Sequence, residues 1–148
     1  MLDHNALKQI LPQAYPFLML DRVVEYTAGQ SLTAIKNITA DEWFFQESQD
    51  DQNNTNHFPE TLLIEAAAQA ALVLYHVSKV KAASQSRLKY FIGRIRSEFF
   101  KPIEIGEQLQ IEVKSGKIMD SGGYTDVQLS SNSFQVAQME LIFKVQPR

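Results

Sequence analysis

Apolar residues recur at helical spacing in two places along the chain and alternate at strand spacing through most of the rest. Ala6, Leu7, Ile10 and Leu11 predict a short helix over 4–11, closed by Pro12. Residues 15–25 and, after Ala28-Gly29, residues 31–38 are rich in β-branched and aromatic side chains and predict strands. Residues 47–56, ESQDDQNNTN, are polar throughout, which predicts an exposed, mobile loop.

Pro59 stands where a first helical residue is favoured, because the N–H it lacks would be unpaired there anyway, and a long helix follows from Glu60 to about Val77. Between Leu62 and Leu74 only Glu65 and Gln69 are polar. Such a helix must be covered on nearly every side, by lipid or by protein. Lipid is disfavoured: the stretch is marginal against the roughly 20 residues a span requires, and a carboxylate costs about 2.5–3.5 kcal/mol at a bilayer centre. No membrane span is expected.

The covering material comes later in the chain. Residues 88–99 mix alternation with aromatics, and Leu109, Ile111 and Val113 alternate cleanly. Asp120-Ser121-Gly122-Gly123 is a turn signal, followed by alternation at Val127 and Leu129. The last strand changes phase: Phe134 and Val136 point one way, and Ala137, Met139, Leu141, Phe143 and Val145 form the next apolar set. One extra residue near Val136–Ala137, a β-bulge, accounts for the switch. The sum is a single α+β domain over 1–148, a curved antiparallel sheet wrapped around one long central helix, with alanines at 66–68 and 70–71 admitting close approach of strands.

Composition narrows the chemistry. The chain has no cysteine, which excludes a disulfide scaffold, a thiolate zinc site and a thiol nucleophile. The opening MLDHNALKQI has no apolar run long enough for a signal-peptide core, so a cytoplasmic protein is expected. A net charge of −3 hides a polarity: residues 41–65 hold seven carboxylates and no Lys or Arg, whereas residues 79–101 hold seven bases opposed only by Glu98. Either the second block is a solvated surface or it meets an anionic partner. Nucleic acid is not expected, since the chain is net acidic and carries no recognised binding motif.

Glu65 is the strongest chemical signal. A carboxylate buried among apolar groups costs several kcal/mol unless paired, so a chain that keeps one there has a partner or a use for it. Glu65, Gln69, Leu72 and His76 share one helix face, a polar stripe on an apolar rod. Glu65 is read as a general acid or base oriented by Gln69; the structural alternative is a carboxylate that caps the first turns or meets an Arg. Of the three histidines, His4 and His76 fit surface and helix-end roles, while His57 ends the polar loop two residues before Pro59 and suits proton transfer near neutral pH. The three give no ligand cluster, so no metal and no cofactor are expected.

Four segments carry a family resemblance: LPQAYPFLMLDRV (11–23), AIKNITADEWFFQ (34–46), LLIEAAAQAA (62–71) and YFIGRIRSEFFKPIEIGEQL (90–109). Together they resemble the FabZ-type β-hydroxyacyl-acyl carrier protein dehydratases of the hot-dog fold. The resemblance implies a homodimer with a continuous sheet and an acyl tunnel at the subunit interface, with dimers assembling in threes in some cases. It also implies a hydro-lyase reaction of fatty-acid biosynthesis, loss of water from a 3-hydroxyacyl thioester carried by acyl carrier protein or coenzyme A. Glu65 and Gln69 match the family's helix Glu and Gln. By the same resemblance His57 is the partner in acid–base work, acting from the opposite subunit. Gln69, Phe58, Tyr90, Phe91 and Gly93 are expected to contact the substrate, and the basic block, through Lys89, Arg94 and Arg96, is expected to dock the acidic carrier or its phosphate.

The histidine loop departs from the family. One alignment equates His57-Phe58-Pro59 with the family's His-Phe-Pro, leaving Glu60 in place of its glycine. The other keeps the helix start gapless and puts Ser48 or a neighbour at the histidine position. Fewer gaps favour the second. Three activities therefore stay open: a dehydratase using Glu65 and His57, an acyl-thioester-binding partner subunit without the base, and a hot-dog thioesterase in which Glu65 activates water.

Overall fold

The computed structural model describes residues 1–46, 57–79, 88–132 and 134–147. The predicted polar loop, Ser48, Lys81 and Arg87 lie outside them. The elements run α1 (His4–Ile10), β1 (Arg22–Thr27), β2 (Ser31–Asn37), α2 (Trp43–Gln46), α3 (Glu60–Lys79), β3 (Leu88–Phe99), β4 (Gln108–Met119), β5 (Gly122–Ser131) and β6 (Phe134–Pro147). Asp3 caps α1 by accepting from Ala6 N at 2.9 Å.

Among the described residues, six strands form one antiparallel sheet in the order β1-β2-β4-β5-β6-β3. It wraps α3, whose residues Ala66 to Tyr75 are all buried. Inward positions alternate on β4 (Leu109, Ile111, Val113) and β5 (Val127, Leu129), each fully buried. At about 1.5–3 kcal/mol per buried large apolar side chain, helix and sheet stabilise each other. Helix α3 has the length and composition of a membrane span, but its apolar surface is spent on the sheet.

The expected bulge is present. Leu129 pairs with Ala137 and Ser130 with Gln135, leaving Val136 as the extra residue. Its carbonyl accepts from both Phe100 N (2.8 Å) and Lys101 N (3.3 Å), which turns β3 toward the next segment. At the β4–β5 turn Gly122 has φ +145°, and a Cβ there would lie 2.1 Å from Phe143 O, so a side chain is excluded.

One predicted strand is shorter than expected. Residues 15–21 run as an irregular segment with a cis Tyr15-Pro16 bond, and pairing begins only at Arg22. Pro16 has no N–H to give a ladder, and backbone groups of 17–19 bond instead to a side chain of α3.

The two sheet edges differ. Leu2 bridges Val23 and covers part of β1. Among the described residues, strand β3 pairs with β6 on one side only, and Phe91 and Ile92 on it are exposed.

Candidate active site

Gln69 organises the site from within the core. It is fully buried, and its amide makes three hydrogen bonds: Oε1 accepts from Met19 N (2.8 Å), while Nε2 donates to Phe17 O (2.6 Å) and to Glu65 Oε1 (2.9 Å). The 17–19 segment is thus clamped to α3, and the Glu65 carboxyl is held by its neighbour one turn on. Trp43 Nε1 donates to Pro16 O at 3.3 Å and its ring meets Phe17 edge-on, so α2 holds the same segment from the other side. Nearby, Lys36 is buried and bonds Glu42, with Asp21 at 3.8 Å, tying β2 to the start of α2.

Glu65 is half-buried rather than sealed in the apolar interior, because it borders a pocket. That pocket, about 400 Å³, lies between α3 and β3. Ala68, Leu72, Leu88 and Phe143 supply its apolar lining, and Glu65 and Gln13 bring carboxyl and amide groups. A carboxyl group in an apolar cleft of this size suits proton transfer to a bound chain.

The other predicted residues divide. Lys89, Tyr90 and Phe91 line the pocket. Tyr90 meets Tyr75 edge-on (ring centroids 6.2 Å), and burial, with Tyr75 second, raises its pKa. Tyr75 in turn donates to Asp120 O at 2.7 Å, and its pKa is raised by burial and then by Asp120. Gly93 lies outside the pocket lining, at the irregularity where β3 shifts register against β6. Phe58 is also outside it: 1% exposed, it packs edge-on against Phe44 in the core. The sequence reading places Phe58 among the substrate contacts; in this structure its side chain is packed in the core at the start of α3.

His57 is half-buried and bridges Glu104, with the adjacent Phe58 N donating to Ile103 O at 2.8 Å. It does not line the pocket that holds Glu65 in the same chain. Arg94 and Arg96 are exposed on β3, where they border a shallow hollow of about 160 Å³ with Tyr124 and Glu140. Arg96 Nη1 lies 4.0 Å from Glu140 Oε2. His76, at the far end of the helix stripe, has its pKa lowered by burial. Among the described residues no group of His, Asp and Glu side chains is arranged to hold a metal ion.

Gln13 was missed in the sequence. An isolated Gln after a proline carries no signal of its own, and only its place on the pocket marks it.

The FabA-like domain family matches residues 11–140. A protein of Janthinobacterium sp. (strain Marseille) named 3-hydroxyacyl-acyl-carrier-protein dehydratase FabZ is 40% identical over 119 residues, covering 76% of this chain and 70% of that one. A protein of the same name from Clostridium botulinum is 32% identical over 150 residues, covering 97% and 96%. Among solved structures, a chain of the dehydratase heterocomplex ApeI:P from Xenorhabdus doucetiae superposes with a TM-score of 0.76 over 96% of this chain and 91% of that chain, at 18% identity. That last likeness speaks for the hot-dog fold.

Proposed function

The chain belongs to the FabA-like family and, within it, to the FabZ-type dehydratases, and from that membership we propose that it removes water from 3-hydroxyacyl thioesters in fatty-acid or related acyl-chain biosynthesis. The observation that carries this reading is the Glu65 carboxyl, held by Gln69 in the lining of a largely apolar pocket of a size to take an acyl chain.

The chemistry is an elimination. A base removes the proton from the carbon α to the thioester carbonyl, and the C–H electrons pass toward that carbonyl oxygen. They then return to form the new double bond as the bond from the β-carbon to the hydroxyl oxygen breaks. Glu65 donates a proton to that oxygen, which leaves as water. The base is His57 of a second copy. Two features support a homodimer: β3 presents a twelve-residue edge with exposed Phe91 and Ile92, and His57 lies off the pocket of its own chain. Lys89, Arg94 and Arg96, all exposed on that strand, dock an acidic carrier protein or the phosphate of a pantetheine arm. The working compartment is the cytoplasm.

Purified protein is expected to convert a 3-hydroxyacyl thioester to the enoyl product, with Glu65→Gln slowing turnover by about 10²–10⁴-fold. Dehydration unchanged in Glu65→Gln would refute the assignment. A second reading, a thioester-binding subunit that depends on another chain for its base, is favoured by one observation, the absence of His57 from the pocket lining. It predicts saturable binding with no turnover by this chain alone.

A further inference from the structure

Glu98 is the one acid among the seven bases of residues 79–101. Among the described residues neither it nor Lys89 makes an ion pair within its own chain. Both lie on β3, whose pairing with β6 sorts its side chains by face. Tyr90, Ile92, Ile95, Ser97 and Phe99 stand opposite buried residues of β6 and point inward, with Leu88 in the same set. Lys89, Phe91, Arg94, Arg96 and Glu98 point outward and are exposed. The two sets change parity at Gly93, the extra residue of the irregularity between Ile92 and Arg94. Ile92 is 45% exposed although it points inward, so the edge beside it lacks a cover.

Resting on the two-copy site proposed above, we infer the register that joins the copies: two β3 strands pair antiparallel about a two-fold axis between Gly93 and Arg94, with Lys89 of each opposite Glu98 of the other. In a strand the side-chain face and the hydrogen-bonding side alternate together, so residues directly opposite across a ladder share a face. Registers centred on a residue near mid-strand set inward against outward side chains across Gly93. Of those centred between two residues, two keep like faces together along the overlap. One, centred between Ile92 and Gly93, sets Lys89 against Arg96, like charges directly opposite and repeated by the axis, which destabilises the pair. The other is the register inferred. It uses all twelve residues of the strand, and it sets Lys89 against Glu98, Phe91 against the Arg96 guanidinium and Ile92 against Ile95, each twice. The pattern is self-complementary, as a two-fold contact between identical chains requires. It also covers Ile92, which lines the pocket together with Glu65. Lys89, with three donors on its ammonium, meets Glu98 without leaving the outer face that the carrier is proposed to use.

The chain has no cysteine, so introduced pairs report the register without background. Directly opposite residues of an antiparallel ladder lie about 4.5–5.5 Å apart at Cα, within reach of a disulfide. Positions 89 and 98 are too far apart along one strand to close within a chain. Lys89→Cys with Glu98→Cys is expected to give a covalent dimer on mild oxidation with diamide, read on a non-reducing gel. Lys89→Cys with Arg96→Cys, which matches the rejected register, is expected to stay uncross-linked. Cross-linking of the second pair instead of the first or equally with it, or of neither, would overturn the inference. Sedimentation equilibrium reads the same contact without a cross-link. Lys89→Glu is expected to weaken dimerisation about ten-fold, through like charges at two symmetric contacts, and Lys89→Glu with Glu98→Lys to restore it. A monomeric wild type, or a double reversal that dissociates as readily as the single one, contradicts the register. A wild type that cross-links as expected yet fails to dehydrate a 3-hydroxyacyl thioester would instead count against the dehydratase reading alone.

Discussion

Gln69 and Met19, fifty residues apart in the chain, share a buried 2.8 Å hydrogen bond that fixes the 17–19 segment against the central helix, and the same amide holds Glu65. Stability and site geometry therefore meet in one side chain. Gln69→Leu strips the partner from the Met19 N–H and the Phe17 carbonyl and frees the carboxyl. A loss of about 2–4 kcal/mol is expected from one or two unsatisfied backbone groups. Urea unfolding measures it, and turnover should fall even where the variant is folded.

The proposed acyl site runs along α3: Ala68 and Leu72 line the pocket one and two turns beyond Glu65. Ala68→Leu fills part of the cavity and is expected to shift the preferred acyl length downward, with kcat/KM for long chains falling further than for short ones. Competition between acyl thioesters of graded length reads this directly.

The exposed arginines on β3 carry a prediction about the carrier rather than the chemistry. Arg94→Glu with Arg96→Glu is expected to raise KM for the protein-borne substrate and to flatten its dependence on salt. Turnover of a short pantetheine thioester should change little. Carrier affinity and salt dependence untouched by the double reversal would remove β3 as the docking face.

His76 gives the fold a pH dependence of known sign. Burial lowers its pKa below the usual 6.5, so between the lowered value and 6.5 the unfolded chain binds more protons than the folded one. Stability from this group is complete above about pH 6.5 and is lost as the pH falls toward the folded pKa. His76→Gln is expected to flatten the stability profile in that window, measured by denaturant midpoints from pH 5 to 8. A steeper profile would contradict the burial of the ring.

Much of this architecture was legible in the sequence because single-period patterns announce it. The apolar run after Pro59 marked α3, and the phase change at Val136–Ala137 marked the bulge that the β5–β6 register shows. The resemblance to FabZ-type dehydratases, read from four segments, agrees with the family match over residues 11–140. What escaped was set by tertiary bonds. Residues 15–21 have strand composition, but Gln69 lies too far along the chain for local pattern to show that it takes their backbone groups. The sequence reading places Phe58 among the substrate contacts, yet its ring is core, and no local pattern in the sequence separates the two. The pairing of Lys36 with Glu42 joins a strand to a short helix, and no periodicity marks it.

The central claim is an elimination site whose carboxyl comes from one copy and whose imidazole comes from another. Mixing two separately inactive variants, His57→Ala and Glu65→Gln, tests it in one assay. After unfolding and co-refolding at equal amounts, half the dimers are hybrids, and each hybrid rebuilds one intact site of two. Dehydration at about a quarter of the wild-type rate is expected from a two-fold symmetric dimer. A mixture as inactive as its two components would contradict a shared site, and full activity of His57→Ala alone would remove His57 from the chemistry.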